Sequence, residues 1–166
     1  MNDTYLEKIS VLREIKRYNN TFCLKTESVA EHSFFVAAII LNLYNEYNFD
    51  LKKALIMGLI HDFPECEITD IQHNVKEQFP FLKKKLKIAE KKVMMESFLE
   101  LFKYYRNFSK EDKVETIIVK YADVLSCYQY SSNEIGMGNI GYMTEVREGS
   151  ISRLVELQEK LKNYKR

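Results

Sequence analysis

The residues that interrupt helices are nearly missing from this chain: 5 glycines and 2 prolines serve 166 positions, and long stretches contain neither. Proline removes a backbone donor and clashes with the preceding turn, while glycine weakens a helix through backbone entropy. Their scarcity predicts helices joined by short loops. With 46% hydrophobic and 30% charged residues, the composition is that of a globular protein, long enough for one domain (1–166) with a substantial core. The 25 basic and 24 acidic side chains leave a net charge of +1, so no overall electrostatic case exists for nucleic acid or an anionic membrane. Three widely spaced cysteines suggest neither a disulfide framework nor a thiolate zinc site. Met1 to Lys8 is polar and no apolar run approaches ~20 residues, so the expectation is a soluble cytoplasmic protein.

Apolar spacing places the helices. Tyr5, Leu6, Ile9, Leu12 and Ile15 form a 3.6-period stripe, predicting a helix over Asp3–Ile15 that ends in the turn-forming Asn19 and Asn20. Ser28 followed by Glu31 is a capping box, opening a helix to about Tyr44. On it, His32 shares a face with Val36, Ile39 and Leu43, so its ring points inward, as a bonded core histidine or as a metal ligand. A third helix starts after Asp50, a fitting N-cap, and ends in His61-Asp62 before Pro64. The segment from Glu65 to Lys76 reads as a polar loop.

Phe81–Tyr105 is predicted as one long amphipathic helix. Its lysines at 83, 84, 85, 87, 91 and 92 read as a solvated face, lacking a stacking platform for bases. Ser109 with Asp112 signals a further helix to about Tyr130, on which Asp123 lies opposite the apolar stripe and, by periodicity, in solvent. Gly136-Met137-Gly138-Asn139-Ile140-Gly141 matches the dinucleotide fingerprint, but no strand precedes it, so it is expected to be a helix–helix connection. A last helix carries Ile151, Leu154, Val155, Leu157 and Leu161.

An imidazole beside a carboxylate, as in His61-Asp62, suits a borderline or hard divalent cation. The dipeptide alone is a weak signal. Three blocks strengthen it: Glu27-Ser28-Val29-Ala30-Glu31-His32-Ser33, His61-Asp62-x-x-Glu65 followed by Thr69-Asp70, and Lys120-Tyr121-Ala122-Asp123. Together they resemble the HD-domain metal phosphohydrolases, nearest the bacterial 5′-deoxynucleotidase branch, over about Arg13 to Tyr130. The resemblance implies an all-α HD-domain bundle in which His32, His61, Asp62 and Asp123 hold one divalent ion (Mn, Co, Zn, Fe or Mg). It further implies Glu65 as the acid/base residue, Arg17 as the phosphate ligand, Tyr18 against the sugar and Asp70 near its 3′-hydroxyl. A nucleotide substrate and assembly as a homodimer or larger are implied as well.

Two positions depart from that pattern. Tyr18 stands where relatives place tryptophan, and Thr69-Asp70-Ile71-Gln72-His73-Asn74-Val75-Lys76 replaces a Gly-Asp-x-Pro-x-Pro-x-Lys loop. His73 is expected to face solvent, and Lys76 receives no role. The expected reaction is removal of the 5′-phosphate from (deoxy)nucleoside 5′-monophosphates by direct attack of water. The alternatives are a dNTP triphosphohydrolase and a non-catalytic metal- or nucleotide-binding module. A two-metal cyclic-nucleotide phosphodiesterase needs more histidines than the three present.

Overall fold

The computed structural model describes residues 3–108 and 113–166. The chain runs through α1 (Asp3–Val11), α2 (Val29–Leu43), α3 (Leu51–Ile60), α4 (Glu65–Ile68), α5 (His73–Gln78), α6 (Pro80–Ser97), α7 (Leu99–Phe108), α8 (Val114–Gly136), α9 (Gly141–Leu161) and a closing 3-10 turn (Lys162–Tyr164). Among the described residues, extended pairing is limited to isolated bridges, Lys16 with Ser28 and Tyr47 with Lys165. The fold is all-α.

Helices α2, α3 and α8 pack on one another, and α9 lies along α8. The main core takes Val36, Ile40 and Leu43 from α2, Ala54 and Met57 from α3, Ile118 and Ala122 from α8, and Leu157 and Leu161 from α9. Each large aliphatic side chain buried there contributes about 1.5–3 kcal/mol. At the α2–α3 contact Gly58 is closely packed, because a Cβ there would sit 2.5 Å from the Ile40 Cδ1 and force a shift. The predicted caps are in place. Ser28 accepts from the Glu31 amide while Glu31 accepts from Ser28, and Asp50 accepts from the Lys53 amide at 3.0 Å.

Three expectations need correction. The first helix stops at Val11 rather than Ile15, because residues 15–17 pair with 27–29 instead. Arg17 N donates to the Glu27 carbonyl and Val29 N to the Ile15 carbonyl. The long helix breaks at Phe98, which leaves the helical region (φ −138°, ψ 42°) and buries its ring against Tyr5 and Phe63. That bend lets α7 pack on α3. The polar loop after Pro64 contains the short helices α4 and α5. The Ser109–Asp112 capping signal lies outside the described residues, and the helix beyond it continues to Gly136. The glycine-rich stretch is indeed a connection from α8 to α9, with Gly138 at φ +103°.

Candidate active site

His32 sits one turn into α2, His61 caps α3, and Asp123 lies at the middle of α8. The mutual packing of these three helices brings the side chains to one point. The offered atoms of His32, His61 and Asp123 all lie within 4.8 Å of one another. His32 Nε2 is 3.1 Å from Asp123 Oδ1, and His61 Nε2 is 3.1 Å from Asp62 Oδ2. Asp62 Oδ2 also lies 3.8 Å from His32 Nε2, and Asp123 Oδ1 lies 4.0 Å from His61 Nε2. Two donors on one ion at ~2.1 Å can be no more than about 4.2 Å apart. These four separations all meet that limit.

The second ring nitrogens fix orientation. His61 Nδ1 faces the Gly58 carbonyl at 2.7 Å, and His32 Nδ1 faces the Ser126 hydroxyl at 3.2 Å. A carbonyl only accepts, so His61 Nδ1 carries the hydrogen. The buried Nε2, though 3.1 Å from Asp62 Oδ2, makes no well-aligned hydrogen bond. An inward-facing nitrogen with no aligned donor or acceptor, among two carboxylates and a second imidazole, fits a divalent cation.

The electrostatics agree. Burial, aided by the Arg17 guanidinium, lowers His32 to about 4 despite Asp123. Burial also opposes charge on His61, but the carboxylates of Asp62 and Asp123 outweigh it and raise the ring to about 9. Burial works against ionisation of both aspartates, yet His61 holds Asp62 and His32 holds Asp123 below the usual range. Positive charge is therefore favoured where the four groups meet.

Asp123 corrects the periodicity reading. Its side chain is only 32% exposed and lines the site, because the face opposite the apolar stripe of α8 looks onto α2 and α3 rather than bulk water.

Arg17 borders the aspartates, with Nη1 3.5 Å from Asp62, Nε 3.4 Å from Glu27 and Nη2 donating to Cys127 Sγ at 3.2 Å. Cys127 in turn points at Asp123 Oδ1, 3.9 Å away. Glu65, from α4, buries Oε2 without a partner. Burial, then the neighbouring carboxylates of Asp62 and Asp70, push its pKa well above the usual value. Burial likewise raises Asp70, outweighing the Arg17 guanidinium that favours its charge. Tyr18 stacks on Tyr130 (centroids 5.1 Å apart, planes at 5°) with φ 54°, so most of its ring is buried. His73 is 82% exposed, as expected, although it opens α5 rather than lying in a loop.

The sequence reading assigned nothing to Glu27, Gly58, Ser126 or Cys127. Two of them carry a helical signal, since Ser126 and Cys127 follow Asp123 at i+3 and i+4 and must share its face. Nothing in local spacing marks the Gly58 carbonyl.

The family model for 5′-deoxynucleotidase YfbR-like proteins matches residues 4–164. A 5′-deoxynucleotidase of Photorhabdus laumondii is 31% identical over 81% of this chain and 75% of its own. A crystal structure of a Pyrococcus horikoshii protein, 28% identical, superposes with a TM-score of 0.83 over 98% of this chain and 95% of that one. An HD phosphohydrolase of cyanophage S-2L, bound to dA and one catalytic Zn2+ ion, shares the fold at 17% identity. Its TM-score is 0.71, covering 97% and 91% of the two chains.

Proposed function

The chain belongs to the YfbR-like 5′-deoxynucleotidase family of HD-domain phosphohydrolases, and on that premise we propose that it removes the 5′-phosphate from (deoxy)nucleoside 5′-monophosphates. The observation that carries this reading is the meeting of His32, His61, Asp62 and Asp123, with Arg17 3.5 Å from Asp62. The four would hold one divalent ion, a reading supported by the Zn2+ of the cyanophage protein, which is also bound to a deoxynucleoside. Such an ion, when bound, acidifies coordinated water and neutralises phosphoryl oxygens.

The protein's own side chains supply the remainder. Arg17 offers a planar fork of donors suited to a phosphate dianion, and its ties to Glu27 and Cys127 hold that fork at the rim. The unpartnered Oε2 of Glu65, whose pKa burial and Asp62 raise, supports its moving a proton to or from the attacking water or the leaving 5′-oxygen. Asp70, whose backbone carbonyl accepts from Asn19 Nδ2, accepts from a sugar hydroxyl through its carboxylate. With one face of its ring stacked on Tyr130 and the Arg17 guanidinium 5.6 Å from its centroid, Tyr18 leaves less aromatic surface for the sugar than a free tryptophan would, which supports weaker exclusion of a 2′-hydroxyl. A second copy of the chain is the fitting protein partner, since Phe34, Phe35 and Leu41 expose an apolar strip along α2.

The test is a panel of dNMPs, NMPs and dNTPs incubated with metal-loaded protein, separating phosphate from tripolyphosphate by ion chromatography. Phosphate from monophosphates, lost in Glu65→Ala while metal content holds, supports the reading. Tripolyphosphate from a dNTP with monophosphates untouched replaces it with the triphosphohydrolase. Nucleotide binding without any product replaces it with the non-catalytic module.

A further inference from the structure

The lysine-rich helix α6 has two apolar faces, and the fold uses one. Leu86, Val93 and Met94 point inward, and Leu86 shares a small recess with Glu65, Thr69 and Lys76. On the outer side Phe81, Ile88 and Met95 are 72%, 59% and 47% exposed, and Leu99 follows at 69% just beyond the bend. At 100° per residue Phe81, Ile88 and Met95 fall within about 20° of one line, roughly 21 Å long. Lys84, Lys85, Lys91 and Lys92 flank that line within about 60° on both sides, and Lys87 lies further round. Lys92 pairs with Glu96 at 3.8 Å. Among the described residues, Lys84, Lys85, Lys87 and Lys91 have no carboxylate within ion-pair distance. The chain's overall charge of +1 hides this local excess.

We propose that the outer face of α6 docks on an anionic lipid surface. An apolar line edged by ammonium groups on long stems lets the rings and methyls enter the headgroup boundary while each charge stays at phosphate level. Other occupants fit worse. Pairing with another helix would need apolar residues three or four positions after Phe81 and Ile88, where lysines stand, placing ammonium groups in the seam. A second copy would set lysines against lysines. Duplex phosphates would meet the apolar line at the centre of the contact. No described helix is long and apolar enough to cross a membrane, so the contact is peripheral.

The full chain is sedimented with vesicles of phosphatidylcholine alone or mixed with phosphatidylglycerol, over a series of salt concentrations. Binding is expected to the anionic vesicles only, weakening as salt rises. Each of Lys84→Ala and Lys91→Ala is expected to weaken it about fivefold. Ile88→Ser is expected to weaken it at least as much, with thermal unfolding and phosphate release unchanged in all three. The proposal is overturned if anionic vesicles fail to carry the protein down, or if these variants bind as the original does. It is equally overturned if Ile88→Ser splits an oligomer in sedimentation velocity, or if the lysine variants lose binding to duplex DNA while vesicles never bound.

Discussion

The Nδ1 of His61 donates to the carbonyl of Gly58 over 2.7 Å, and the same glycine lies where a Cβ would strike Ile40. One residue thus sets both the approach of α3 to α2 and the direction of a candidate metal ligand. Gly58→Ala forces either the Ile40 side chain or the helix to move. The expected cost is about 1–3 kcal/mol in urea unfolding, with lower metal occupancy at fixed free metal. Adding Ile40→Val removes the clashing methyl and should recover a good part of both. Unchanged stability in Gly58→Ala would mean that Ile40 swings aside freely.

The ligand assignment has a direct chemical consequence. Chelator-treated protein is expected to lose phosphate release and to regain it with a divalent ion. His32→Ala and His61→Ala should each lower activity by at least ~10³, since several kcal/mol of transition-state stabilisation depend on the bound charge. Metal content measured by plasma mass spectrometry should fall in parallel. A variant that keeps stoichiometric metal while losing activity would remove that histidine from the ligand set.

Thr69, which replaces the glycine of the pattern this chain resembles, has a backbone that suits glycine. Its φ of 69° and ψ of 165° lie in a region that side chains enter at a cost of about 1–3 kcal/mol. The loop holds this conformation with Asn19 Nδ2 donating to the Asp70 carbonyl at 3.1 Å. Relief of strain outweighs glycine's larger unfolded-state entropy, about 0.5–1 kcal/mol. Thr69→Gly is accordingly expected to stabilise the protein by about 1 kcal/mol in chemical denaturation, with the KM for nucleotide little changed. A destabilised variant would mean that the threonine side chain supports the loop.

Where the sequence was legible, the signal was local. The Ser28–Glu31 box and the Asp50 cap follow from groups three residues apart, and the inward His32 follows from its place on one helical stripe. What stayed hidden depends on partners distant in sequence. Phe98 leaves its helix because Tyr5 and Phe63 receive its ring, and nothing near position 98 announces them. Asp123 read as solvent-facing because periodicity separates the apolar side of α8 from the other, without saying what covers the other side. In the site, the family blocks pointed to the proposed ligands, while the contacts of the Gly58 carbonyl and the Cys127 thiol depend on the packing of three helices.

Glu134 offers a test of pH dependence that touches none of the proposed metal ligands. Fully buried, it accepts from the amides of Leu24 and Lys25 and from the Asn139 side chain, each at 2.7 Å, tying the segment before α2 to the α8–α9 connection. Burial works against its charge, but those three donors outweigh it and hold its pKa below the usual carboxylate value. A group whose folded pKa is depressed stabilises the fold above its unfolded pKa, near 4.3, and loses that contribution as pH falls through the folded value. In Glu134→Gln the amide oxygen can serve only some of these donors, and its own NH2 faces the others. The variant should lose about 1.5–3 kcal/mol at neutral pH. The gap should narrow in acid, as the original protein protonates and the variant does not. Urea unfolding of both proteins between pH 7 and pH 3 measures this; parallel curves across that range would show that the carboxylate's charge contributes nothing to the clamp.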